Sequence, residues 1–146
     1  MMKNIIRNNM VAWGIHIAIC ILAIVVFYVF TVWHLEGYSL VFGLVFKGLL
    51  YIVSSAFLLR KCNNFWRDIA SVMSVSICLV GGLLIHYFLI SMNILTTMDM
   101  GFSIILCFSF VELLNGSTVW HCFTPIILSV LMYIGIVIRY FVGSDE

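Results

Sequence analysis

Long apolar runs are the feature that most constrains this chain. From Val11 to Trp33 there is no Asp, Glu, Lys or Arg. As a helix rising 1.5 Å per residue, that stretch spans the roughly 30 Å of a bilayer's hydrocarbon core. Runs of similar hydrophobicity, three of them carrying a single charged residue, cover 40–59 (Lys47), 69–92 and 123–142 (Arg139), with a shorter one over 101–114 (Glu112) that its flank extends to 117. Hydrocarbon offers no water to backbone N–H and C=O groups, so runs of this kind must satisfy themselves as helices. The pattern predicts an all-α fold: a polytopic transmembrane helical bundle forming a single integral membrane domain over 1–146.

Composition closes the alternative of a soluble domain. Of 146 residues, 64% are hydrophobic and 9% charged, against about 45–50% and about 25% in ordinary soluble domains. A soluble protein of this size keeps too much surface wet to hide so much apolar area. The lipid bilayer is therefore the first expected partner. A net charge of +1 without a dense basic cluster excludes nucleic acid as a partner.

Lys3 and Arg7 precede the first run in the manner of a signal peptide, but the run far exceeds the roughly 7–15 residues of a signal's apolar region. Ile17-Ala18-Ile19-Cys20 has the outline of a lipoprotein cleavage box, yet Ile19 is too bulky for its small-residue position. The first run is expected to be retained as a span. Polar breaks at His34–Tyr38, Arg60–Asp68 and Thr96–Asp99 separate the next runs. Residues 101–142 would make a helix of about 63 Å if unbroken, twice a bilayer. Asn115-Gly116-Ser117 and the single proline, Pro125, divide them.

Charge placement favours five spans, 11–33, 40–59, 69–92, 101–117 and 123–142, with the N-terminus in the cytoplasm of a bacterial cell. Lys3, Arg7, Arg60, Lys61 and Arg67 then share the cytoplasmic side, as short-loop Lys/Arg bias requires. Arg139 alone offends. The alternative is four spans plus a re-entrant segment over the fourth run, which returns the C-terminus and Arg139 to the cytoplasm. Trp13, Trp33, Trp66 and Trp120 all fall near proposed boundaries, where amphipathic rings prefer to sit.

Four intramembrane polar residues stand out: Lys47, Glu112, His16 and His86. An ionised Lys inside a run is costly unless paired, hydrated or neutralised. Counted from the outer ends, Lys47 lies about 12 Å deep and Glu112 about 16 Å, so the two are expected to pair. The bland readings are snorkelling for Lys47 and an interfacial carboxylate for Glu112. His16 shares a four-residue stripe with Ala12 and Cys20 and is expected to face protein. Ala70, Ser74, Cys78 and Gly82 recur every four residues, with His86 continuing the stripe. Small residues at this spacing let helix backbones approach closely, so the stripe is expected to be an intramolecular packing seam, its alternative being a self-association face. The five cysteines lack a C-x-x-C pair, and His121-Cys122 has no second ligand at a useful spacing, so neither a metal nor another cofactor is expected.

Three functions follow in order. The first is a non-enzymatic membrane protein acting through helix contacts with a membrane-protein partner or a second copy, such as an accessory subunit or an immunity or exclusion factor. The second is an oligomeric small-solute or ion transporter using Lys47 and Glu112, for which no inverted repeat is visible. The third is an intramembrane enzyme, for which convergent polar groups are scarce.

Overall fold

A computed structural model of the chain describes residues 2–32, 36–62, 64–92 and 122–142. Every regular element among them is helical: α1 (Met2–Val32), α2 (Glu36–Leu58), α3 (Phe65–Ala70), α4 (Met73–Ser91) and α5 (Ile126–Val142). Glu112 and the whole fourth apolar run lie outside the described residues. Two stretches, Met2–Val26 and Met73–Ser91, are long and apolar enough to cross a membrane; Val45–Leu58 and α5 are shorter apolar helices.

The helices differ from the apolar runs at their ends. α1 begins nine residues before Val11, because Asn8 and Asn9 on its first turns have partners elsewhere in the protein. The third run is not one helix but two, broken at Ser71 and Val72. α3 starts at an Asn64 cap with extended backbone, whose side chain accepts the Trp66 N–H at 3.0 Å, a usual role for Asn at that position. α5 starts immediately after Pro125. A proline there forfeits no helical hydrogen bond, since the first N–H groups of a helix have no intrahelical acceptor.

α1 packs against α2 and α4, and α5 closes the bundle by packing against the same two; α3 lies among α1, α4 and α5. The core comes from all four long helices: Ala12, Ile15 and Ile19 from α1, Tyr51 from α2, Val75 and Leu79 from α4, and Leu128, Met132 and Ile136 from α5. Outside, Ile17, Ile21 and Val25 on α1 and Val45, Leu49 and Val53 on α2 stand exposed in rows. Contiguous apolar rows of this kind mark a surface that contacts another apolar phase or partner.

Among the described helices, the small-residue stripe does not face the bundle interior. Ala70, Cys78 and Gly82 are exposed and Ser74 only half-buried, while Ser71, Val72, Val75, Ser76 and Leu79 face inward. The break at Ser71 and Val72 is one cause, since it puts Ala70 on a different helix from the other three. The other is that Ser76, beside the stripe, makes the polar contacts to α5.

Close backbone approach occurs instead where α5 crosses α2. A Cβ on Gly135 would collide with the Ser55 Oγ and with the main-chain oxygen of Ile52. Glycine is what admits the two backbones, a device also seen where membrane helices cross. Gly135→Ala is expected to destabilise the protein by about 1–3 kcal/mol, the usual cost of overpacking. Gly14→Ala, which meets open space, should be neutral or slightly stabilising. Thermal unfolding in mild detergent, followed by tryptophan fluorescence, separates the two; equal melting points would contradict the crossing.

Candidate functional site

Among the described residues, buried polar side chains gather in three places: a junction at one end of the bundle, a deeper row between α1 and α2, and a serine contact between α4 and α5. At the junction, Asn8 is wholly buried. Its carboxamide donates to the Arg60 carbonyl at 2.6 Å and accepts the Arg60 N–H at 3.1 Å. It also donates to Ser71 Oγ at 3.3 Å. Asn9 donates to the Ala70 carbonyl at 3.1 Å and accepts the Ser74 N–H at 3.4 Å. In an unbroken helix that N–H and that carbonyl would bond to each other. The Asn9 side chain is inserted where that bond would be, a recognised cause of helix kinks.

The last carbonyls of α2 have no intrahelical donors. Arg7 donates to Leu58 O at 3.4 Å, and Arg139 donates to Phe57 O and Leu59 O at 3.2 and 2.8 Å. Cations at the negative end of a helix are also favourable electrostatically. Arg139 therefore joins Lys3, Arg7, Arg60, Lys61 and Arg67 at one end of the bundle. Asp68 sits beneath them, its Oδ1 accepting the Cys62 N–H at 2.6 Å. Burial, and next the Asp68 carboxylate, push the Cys62 thiol above its ordinary range.

The deeper row runs along matching faces of α1 and α2. Lys47, Tyr51 and Ser55 recur every four residues on α2 and are all buried, so they share one face. Opposite them on α1 are Asn8, Ala12 and His16, also buried at the same spacing. His16 Nδ1 lies 2.7 Å from the Tyr51 hydroxyl, and the two rings stack. Trp13 meets His16 edge-on and the Cys20 thiol lies 3.7 Å from Nε2. A hydroxyl bonded to an imidazole, one helical turn from an ammonium, can pass a proton or hold two helices in register.

Between α4 and α5 the polar contacts are reciprocal. Ser76 Oγ donates to the Pro125 carbonyl, Ser129 Oγ donates to Val72 O at 3.0 Å, and the two hydroxyls touch each other.

Of the four polar residues singled out in the sequence, Lys47 and His16 are both buried, His16 against Tyr51 and Lys47 one turn before Tyr51 on the same face of α2. His86 is half-buried on α4, and Glu112 is outside the described residues. Among the described residues, no three His, Cys, Asp or Glu converge as metal ligands would. Sequence reasoning passed over Tyr51, Asn8, Asn9, Ser76 and Ser129. Tyr51 was detectable from its position four residues after Lys47.

Comparison with protein-family models, curated proteins and solved structures finds no match for this chain. Geometry and chemistry alone bear on its function.

Asn9→Ala strips a donor and an acceptor from the α3–α4 break and is expected to cost about 1–3 kcal/mol. Tyr51→Phe should cost about 0.5–1.5 kcal/mol through the lost His16 contact. Both are read from thermal unfolding in detergent, and wild-type stability of Asn9→Ala would refute the bridging role. The Cys62 thiol, protonated at neutral pH, should resist maleimide until the protein is denatured; rapid labelling of the native form would show that it is not sealed.

Proposed function

We propose that this chain is a small multi-pass membrane protein that acts through helix contacts with another membrane protein or a second copy, and not by catalysis. An accessory subunit and an immunity or exclusion factor are the forms that fit. The observation that carries the proposal is the outer face of α4. Its inward residues hold the bundle together, while Cys78 and Gly82, the small residues that admit a neighbouring backbone, face outward. Buried polar side chains at the junction and between α4 and α5 are already engaged in joining helices, which leaves little for a reacting centre.

Topology enters the same proposal. Arg7 near the start of α1 and Arg139 near the end of α5 reach carbonyls at the same end of α2. This supports an even number of crossings, four spans with the fourth apolar run re-entrant, over the five that charge counting alone favours. With the cationic end in the cytoplasm, both Met2 and Val142 belong to that side.

Cys78 supplies the test. Oxidation of native membranes is expected to trap α4 in a disulfide-linked species, either a dimer or an adduct with one stoichiometric partner, and Gly82→Leu should abolish it. A monomer under all conditions would contradict the proposal. For topology, a fluorescent reporter that matures only in the cytoplasm should light up when fused after Glu146; a dark, correctly inserted fusion would favour five spans.

A second reading has its own observation. The buried Lys47, Tyr51 and His16 are the residues a proton- or ion-coupled carrier would use. Liposome flux that is lost in Lys47→Met and in Tyr51→Phe would establish it, and would displace the first reading.

A further inference from the structure

A cleft of about 300 Å³ opens at the cationic end of the protein, between α3 and the last turns of α5. Lys61 and Asp68 border one side; Tyr133, Val137, Tyr140 and Phe141 border the other. The Lys61 ammonium sits 3.0 Å from the centre of the Tyr140 ring. We propose that this cleft seats one anionic phospholipid, its phosphate at the Lys61 ammonium and the upper part of an acyl chain along Val137 and Phe141.

Depth is the first support. Arg7, Arg60, Arg67 and Arg139 surround the cleft's end of the bundle, and Phe65, Trp66, Tyr140 and Phe141 are exposed there. Aromatic rings beside cations mark the headgroup level of a bilayer, and basic pockets between membrane helices on the cytoplasmic side take anionic headgroups.

Chemistry is the second. An ammonium on a ring face is held in place by the ring's quadrupole while its N–H donors on the far side point away from the ring. An anion approaching from outside therefore meets an oriented donor. Asp68 borders the same cleft, and its charge weakens the anion site without occupying it. That carboxylate is 5% exposed and its Oδ1 already accepts the Cys62 N–H, whereas Lys61 stands exposed at the surface.

Shape is the third. The volume admits a phosphate with its glycerol but not a whole lipid, and the apolar wall continues from Val137 back along α5 to exposed Ile134 and Val130, away from the cationic end, where tails would leave for the bilayer.

The inference rests on the membrane reading above, and the test separates the two. The full chain in detergent is titrated with phosphatidylglycerol, phosphatidylcholine or inorganic phosphate, and bound species are counted by native mass spectrometry. Wild type is expected to retain one phosphatidylglycerol in preference to phosphatidylcholine. Lys61→Gln should weaken that binding about fivefold, the worth of one cation near an anionic lipid surface. Lys3→Gln, a cation at the same end but away from the cleft, should leave it unchanged. Val137→Trp, which fills the cleft without altering charge, should abolish it. Equal losses in the two lysine variants would overturn the site while leaving the membrane reading intact. Displacement of the lipid by inorganic phosphate would overturn it in favour of a free-anion site. Folded protein that needs no detergent and carries no lipid would overturn both.

Discussion

A backbone N–H or C=O left unpaired in apolar surroundings costs several kcal/mol, and this bundle is arranged around that cost. Where the helices run unbroken the difficulty never arises. It arises where α2 ends and where the third apolar run breaks. Both places are repaired from a distance, by Asn8 and Asn9 of α1 together with Arg7 and Arg139. The carboxamide suits the task because it offers a donor and an acceptor side by side. Asn8 engages both main-chain groups of Arg60, and Asn9 joins Ala70 to Ser74, two groups an ordinary helix would join directly.

The same logic explains which parts of the fold could be read from the sequence. The apolar runs announced helices because hydrocarbon-like surroundings allow little else, and α1, α2, α4 and α5 lie where runs 11–33, 40–59, 69–92 and 123–142 put them, within a few residues apart from the early start of α1. The break at Ser71 and Val72 left no mark of its own. Neither residue is Pro or Gly, and the kink depends on an asparagine 62 residues earlier. Local pattern cannot report such a long-range substitution. The outward turn of the small-residue stripe, among the described helices, has a related reason: spacing identifies a face, but which face turns inward is decided by neighbouring helices. Lys47 was conspicuous because it is charged. Tyr51, uncharged and equally buried, was not, although one helical turn separates them.

The α1–α2 and α4–α5 contacts divide the interior between two kinds of adhesion. On one side aromatic and titratable groups stack, with His16 between Trp13 and Tyr51. On the other, two serines exchange hydroxyls for main-chain carbonyls. The serine pair is compact and insensitive to pH, and holds α4 and α5 at a fixed separation. The histidine contact joins α1 and α2 through a ring face and a single hydroxyl.

The Asn8 and Asn9 clamps also impose an order of events during synthesis. Their acceptors and donors lie 52 and 65 positions downstream, and leave the ribosome only after α2 is complete. Until then two carboxamides at the head of α1 need water. The opening turns of α1 therefore stay hydrated until the hairpin with α2 folds back and the α3–α4 joint arrives to relieve them. A delay of that sort makes the head of α1 one of the last parts of the bundle to lose its water.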